Sequence, residues 1–338
     1  MKILVTGGAG YIGSHTCVLL LEAGHDVTVI DNLCNSSAIA LERVQELAGK
    51  SLRFVEGDIR NGADLDRAFE GGIDAVIHFA ALKAVGESCE QPLAYFDNNI
   101  GGTITLMQAM EAHGVHRLIF SSSATVYGQP DSVPIKEDAP LRVTNPYGRT
   151  KLVMEQLIQD WCTARPQASA VLLRYFNPVG AHPSGRIGED PRGEPNNLMP
   201  YIAQVAVGRR ELLRIYGDDY PTPDGTGVRD YLHVMDLAEA HLKAVEYSGT
   251  HAGCQAFNLG TGTGYSVREM VTAFELAAGR AIPCQIVERR AGDVTELTAD
   301  PAEANAKLQW CTTRGLDAMC ADAWRWQQQN PIGFLYEG

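Results

Sequence analysis

At 338 residues the chain is long enough for one large domain or two closely packed ones, and 45% hydrophobic with 20% charged residues is the composition of an ordinary globular protein with a substantial core. A net charge of −13 argues against a nucleic-acid or anionic-membrane surface, and no run of 18 apolar residues offers a membrane span. The N-terminus has no signal-peptide shape, and the eight cysteines are scattered without a CxxC pair, which fits free thiols in a reducing cytoplasm and neither a metal site nor a disulfide frame.

Lys2 to Thr6 reads as a short buried strand that runs into Gly7-Gly8-Ala9-Gly10-Tyr11-Ile12-Gly13 and then an apolar helical stretch through Ala23. Gly7, Gly10 and Gly13 form GxxGxxG between a strand and a helix. That is the context in which glycines permit a tight turn and let backbone amides and a helix N-terminus approach a pyrophosphate. A second strand, Asp26 to Ile30, ends at Asp31, which lies 18 residues past Gly13. An acid there suits the adenosine ribose hydroxyls and repels a 2′-phosphate, so the cofactor expected is NAD.

The alternation continues with a strand at Leu52 to Val55 leading to Gly57-Asp58-Ile59, and another over residues 74 to 79. The latter ends in Phe79-Ala80-Ala81, small and apolar where a backbone must pass a cofactor. Lys83 follows, either a solvated cation or a cofactor contact. Asn98 and Asn99 fall in the next helical stretch, where asparagine is slightly unfavourable, so one of them could face a site. Arg117 to Phe120 is a further strand, ending in Ser121-Ser122-Ser123 at the edge where parallel sheets bind ligands. Strands alternating with helices imply an α/β fold, a doubly wound parallel sheet of Rossmann type.

After Asn145-Pro146, a helix-entry signal, comes Tyr147-Gly-Arg-Thr-Lys151. A tyrosine and a lysine four apart share one helix face. An ammonium beside a phenol favours the phenolate. Bringing the phenol to neutrality takes roughly 4 kcal/mol of preferential stabilisation, at about 1.36 kcal/mol per pH unit, and gives a general base usable at pH 7. Past Arg174 the glycine, proline and asparagine content rises. Residues 177 to 200 read as loops over the cleft, Asn197 to Gly208 as a helix, Arg214 to Gly217 as a strand, and Ser266 to Ala278 and Leu316 to Gln329 as helices. These segments predict a smaller C-terminal α/β substrate-binding lobe. The division is residues 1–175 for the dinucleotide and 176–338 for the substrate, with the chain free to cross back. Trp324 and Trp326 are expected to pack the last helix.

GxxGxxG with Asp31, a serine-ended strand and Tyr-x-x-x-Lys together resemble the extended short-chain dehydrogenase/reductase superfamily. The strings Gly7 to His15, Phe120 to Gly128, Leu173 to Ser184, Pro195 to Pro200 and Gly227 to Tyr231 are similar to its NAD-dependent epimerase family, and within it to the enzymes that epimerise UDP-glucose and UDP-galactose at carbon 4. The resemblance runs nearly end to end. It implies that Tyr11, Ile12, Asp31, Asn32, Asn35, Ser36, Asp58, Ile59, Phe79, Ala80, Ala81, Lys83, Asn98, Lys151 and Phe176 line the NAD site beside the glycine loop. It also implies that Ser123 and Tyr147 contact the sugar, and that Asn177, Asn197, Leu198, Tyr216, Arg229, Arg290 and Asp293 hold the UDP, with a homodimer as the assembly. In dehydratase relatives Asp-Glu stands beside the serine to eliminate water. Here Ala124 and Thr125 stand there, so elimination lacks its acid and base. At the pocket wall the family varies from tyrosine to cysteine, the small residue admitting an N-acetyl group. Leu297 is intermediate and implies weak use of UDP-GlcNAc. The other alternative, an NAD-binding regulator with a decayed site, is opposed by the presence of Ser123, Tyr147 and Lys151 together.

Overall fold

The computed structural model describes residues 1–290 and 293–334, so the end of the second segment, 335–338, lies outside the described residues. The first half alternates as β1 (Lys2–Thr6), α1 (Tyr11–Glu22), β2 (Asp26–Asp31), α2 (Ala38–Ala48), β3 (Arg53–Glu56), α3 (Gly62–Phe69), β4 (Ala75–His78), α4 (Val85–Glu90), α5 (Pro92–Tyr95), α6 (Gly102–Ala112), β5 (Arg117–Ser121), α7 (Pro146–Ala164) and β6 (Ser169–Tyr175). The second half contains β7 (Asn177–Val179), α8 (Leu198–Ala206), β8 (Leu213–Tyr216), β9 (Val228–His233), α9 (Val234–Ser248), β10 (Gly253–Leu259), β11 (Gly264–Ser266), α10 (Val267–Ala278), β12 (Cys284–Val287), β13 (Glu296–Leu297), α11 (Ala302–Lys307) and α12 (Leu316–Gln329).

Seven strands form one sheet in the order β3-β2-β1-β4-β5-β6-β10, every neighbouring pair parallel. Both faces are covered, which explains why these strands read as continuous apolar runs. Ile3 and Val5 enter the core shared with Val18 of α1, Leu41 of α2 and Leu237 of α9. Leu4 between them enters the opposite core, with Leu65 of α3, Leu106 of α6 and Met154 of α7. The strand order reverses between β1 and β4, and ligands bind at such a switch point.

The remaining strands make a small sheet in which β9 pairs with β7, β11 and β13, and a two-stranded pair, β8 with β12. They pack with α8, α10 and α12 around Met199, Ile202, Phe274 and Met319. This is the expected smaller lobe. Trp326 is buried in the larger core and Trp324 lies against the smaller one. Well past residue 175 the chain returns to the first body: β10 pairs along its length with β6, and α9 packs on α1. The stretch holding Asn98 and Asn99 is a π-helix (Phe96–Gly101), a form of helix frequent at functional sites. Among the described residues no helix is long and apolar enough to cross a membrane, and no group of three or more His, Cys, Asp or Glu is arranged to hold a metal ion.

Phe257 of β10 is fully buried and meets Tyr247 edge-on at 5.4 Å between ring centroids. Phe257→Ala should destabilise the fold by about 3–5 kcal/mol, read from urea denaturation; a change near zero would mean that β10 is not part of the cooperative core.

Candidate active site

Three successive strand ends, those of β1, β4 and β5, frame the site. At the first, Gly7 adopts φ +71°, and a Cβ there would come within 2.7 Å of the Ala80 backbone nitrogen. A Cβ at Gly13 would strike the Gly7 carbonyl oxygen. The turn and the end of β4 are therefore in backbone contact, leaving an open cradle beside them. No side chain caps α1 at Gly10, so its first-turn amides, including those of Tyr11 and Ile12, are left for another acceptor. Asp31 is buried at the end of β2. Its carboxylate accepts from Ala9 N at 3.0 Å, Leu33 N at 2.9 Å and Ser36 Oγ at 2.8 Å. Asn32 donates to Asp58 at 3.1 Å, and the Arg60 guanidinium holds the Asp58 carboxyl down to about 2. Ile59 is buried under Gly102, and Asn35 is exposed on the loop after β2. This set fits a dinucleotide: a tight glycine turn, an uncapped helix start and an acid on the neighbouring strand.

Phe79, Ala80 and Ala81 follow β4 half-buried, and the Phe79 ring packs against His241, tilted by 42° with centroids 4.6 Å apart. The two asparagines differ in burial. Asn99 is fully buried and saturated: it accepts from Leu82 N at 2.8 Å and donates to Leu82 O and Thr150 Oγ1, each at 3.0 Å. It clamps the end of β4 to α7, and Asn98, partly exposed, donates its Nδ2 to Asn99 Oδ1 at 3.0 Å.

At the end of β5, Ser123 Oγ accepts from Thr125 N at 3.2 Å and Thr125 Oγ1 at 3.0 Å. With both lone-pair positions filled, its proton can only be donated onward. Helix α7 begins at Pro146, capped by Asn145 Oδ1 on Gly148 N at 2.8 Å, and Tyr147 N donates to Ser88 Oγ. Tyr147 and Lys151 are 6% and 2% exposed. The expectation that the lysine draws the phenol towards neutrality is not met by these two side chains alone. Burial raises the Tyr147 hydroxyl well above the ordinary range, Tyr175 adds to the rise, and the Ser123 hydroxyl beside it pulls the other way. Burial lowers Lys151 to about 7, with Glu155 opposing. Desolvation disfavours both charged forms, and for each group it is the largest cause of the shift. Lys151 Nζ instead donates to Ser121 O at 2.7 Å and lies 4.9 Å from the Phe120 ring centroid.

Phe176 is buried between β6 and β7, and Asn177 opens β7. Asn197 precedes α8, whose first residue is Leu198, and donates to Glu189 at 2.9 Å; Lys83 meets the same carboxylate at 3.3 Å. Glu189, which carries no motif, thus joins a residue assigned to the cofactor side with one assigned to the substrate side. In the small lobe, Arg290 lies 3.8 Å over the ring of Tyr216 at the end of β8, and Asp293 N donates to Arg290 O. Arg229, on β9, pairs in register with Leu297. Leu297 packs on the cluster that contains Ala124 and Phe176, which links the small lobe to the serine turn. Sequence reasoning missed Glu155, Arg174, Tyr175 and Glu189. Of these only Glu155 carried a signal, lying one further helical turn along the Tyr147–Lys151 face.

A doubly wound sheet with this cradle and a buried tyrosine–lysine pair defines a dinucleotide-dependent enzyme, and the similarities of the chain are specific about which kind. The NAD dependent epimerase/dehydratase family model matches residues 3–260. The UDP-glucose 4-epimerase of Bacillus subtilis is 60% identical over 335 residues, 99% of each chain. That of Homo sapiens is 56% identical over 341 residues, 98% of each. The crystal structure of UDP-glucose 4-epimerase from Bifidobacterium longum in complex with NAD+ and UDP has a TM-score of 0.96 at 51% identity, covering 98% of this chain and 100% of that one. The chain belongs to the NAD-dependent epimerase/dehydratase family.

The depressed lysine carries a signed consequence. Its folded value, about 7, lies below the ordinary 10.5, so the unfolded chain holds more protons between those pH values and stability rises with pH across that window. The fall corresponds to roughly 5 kcal/mol at most, at about 1.36 kcal/mol per pH unit. Lys151→Met should therefore be more stable than the parent at pH 7, with the difference shrinking towards pH 10 in paired denaturant titrations. A difference that does not vary with pH would contradict the buried, half-neutral lysine.

Proposed function

We infer that this chain interconverts UDP-glucose and UDP-galactose by inverting carbon 4, with tightly bound NAD and a 4-keto sugar intermediate. Carbon 4 bears an unactivated C–H bond, so direct proton abstraction is too costly and transient oxidation is the available route. Bound NAD supplies the hydride acceptor and then the donor. Tyr147 takes the 4-hydroxyl proton and later returns it. Ser123, with only its proton to give, holds the sugar oxygen. Lys151 assists Tyr147 and the nicotinamide ribose. The observation that carries this reading is the burial of Tyr147 against Ser123 at the strand end beside the glycine cradle. In the protein alone the phenol is held protonated, so the positive charge of an oxidised nicotinamide is what would favour the phenolate at the moment of reaction.

Gly7, Gly10, Tyr11, Ile12, Gly13, Asp31, Asn32, Asn35, Ser36, Asp58, Ile59, Phe79, Ala80, Ala81, Lys83, Asn98 and Phe176 are assigned to the cofactor in this reading. Asn177, Asn197, Leu198, Tyr216, Arg229, Arg290 and Asp293 are assigned to the UDP, the arginines offering charge-assisted hydrogen bonds to pyrophosphate. The UDP must be gripped while the sugar turns over between the two hydride transfers. The reading includes a homodimer in the cytoplasm. Exposed Val85, Leu93 and Ile104 on α4, α5 and α6 support a protein partner, and eight free cysteines support a reducing compartment.

Tyr147→Phe should abolish conversion of UDP-galactose to UDP-glucose, assayed without added NAD, while circular dichroism stays that of the parent; a largely active variant would refute the assigned base. Release of a 4-keto-6-deoxy sugar would favour a dehydratase instead, which Ala124 and Thr125 argue against. Leu297 should limit UDP-GlcNAc to turnover well below that of UDP-glucose, and Leu297→Cys should narrow the gap. Equal turnover in the parent would show that the wall does not set specificity.

A further inference from the structure

We propose that Glu155 is a positioning residue for this reaction: from one turn beyond Lys151 on α7 it pins the serine run that carries Ser123 and places a negative charge behind Lys151. The proposal rests on the assignment of Ser123, Tyr147 and Lys151 above. Glu155 is fully buried. Its carboxylate accepts from Ser122 Oγ at 2.5 Å, from Arg174 Nε at 3.0 Å and from Arg174 Nη2 at 2.7 Å. A buried glutamate gripped by an arginine fork has a single orientation, unlike a solvated one.

Ser121 and Ser122 are each held from both sides, by α7 and by β6. Ser121 O accepts from Lys151, and Ser121 Oγ donates to the Tyr175 hydroxyl at 3.1 Å. Ser122 N donates to Leu173 O, and its hydroxyl reaches Glu155. Ser123 is left to present its proton. Releasing Ser122 therefore frees the residue next to the one that must meet the sugar oxygen. A misplacement of about 1 Å at a reacting group can cost on the order of a hundredfold in rate.

The electrostatics of the pocket simplify. His78 of β4 faces Lys151 and is lowered to about 3 by burial. Tyr127 is pushed up to about 12, and the thiol of Cys254 on β10 is raised far above its ordinary range. At neutral pH none of the three carries charge. What remains is a buried row of Lys151, Glu155 and Arg174, the carboxylate lying between a lysine that holds its proton about half the time near pH 7 and the Arg174 guanidinium. Glu155 is the group that opposes the desolvation of Lys151.

Two variants separate the roles. Glu155→Gln removes the charge, and Ser122→Ala removes only the contact. In E155Q the alkaline limb of the kcat–pH profile should move down by about one pH unit or more, and the ζ-nitrogen NMR titration of Lys151 in 15N-lysine-labelled protein should move the same way. In S122A kcat should fall about tenfold or more with KM within about twofold, and the alkaline limb should stay in place. An unmoved limb and lysine titration in E155Q, or parental kcat in S122A, overturns the proposal. If E155Q yields no folded protein, the S122A result decides. Tyr147→Phe serves as the control: if it is inactive while both variants behave as the parent, only the role of Glu155 fails, whereas an active Y147F removes the assignment beneath it.

Discussion

Burial of a phenol and an amine at one strand end is the constraint on which the site depends. Left in water, Tyr147 and Lys151 would be an ordinary neutral phenol and an ordinary ammonium. Excluded from water, the phenol becomes harder to ionise and the lysine loses most of its preference for the proton. Such a pair is idle until another charge arrives, which suits an enzyme whose cofactor brings one. The cost of burying Lys151 is offset locally, by the Ser121 carbonyl, the Phe120 ring and the field of Glu155. The sheet supplies the first two and anchors the third: β5 carries the carbonyl and the ring, and β6 carries Arg174, which keeps Glu155 of α7 in place.

Much of this was legible in the sequence because it is local. The glycine turn must follow a strand and open a helix, and Gly7 does so in a conformation with positive φ. Asp31 ends its strand as expected and spends its oxygens on the Ala9, Leu33 and Ser36 donors. Asn145-Pro146 announces the helix of Tyr147, and the helix at Leu316–Gln329 has the bounds its pattern suggested. What was not legible depends on tertiary burial. Spacing places a lysine beside a tyrosine but does not say whether Coulomb attraction or desolvation wins. Nor does it say that Glu155, a residue type common on solvated helix faces, turns inward to meet Arg174. Glu189 was silent for the same reason. It lies on a loop, and only the folded chain brings Lys83 and Asn197 to it.

The two bodies of the molecule are joined by side chains as well as by the backbone. Tyr11 at the start of α1 donates to Gly180 O at 2.7 Å, and Leu297 of the small sheet rests on the cluster holding Ala124 and Phe176. Arg174 extends the serine network through the Tyr127 hydroxyl to Asn258 of β10, and through the Glu137 carbonyl to the loop beyond. The glycine turn, the serine turn and the smaller lobe are thus parts of one connected frame.

The late return of β10 to the large sheet bears on how the protein is made. While the ribosome is still adding residues 176 to 252, β6 presents an unpaired edge and the α1 face lacks its α9 cover. The first half therefore lacks one edge partner and one helix cover until the later residues are made, and an emerging chain carries an open strand through roughly a quarter of its synthesis. A nascent polypeptide of this design keeps an edge strand open for longer than one whose first domain closes on itself, and so gains more from chaperone shelter or quick translation of that interval.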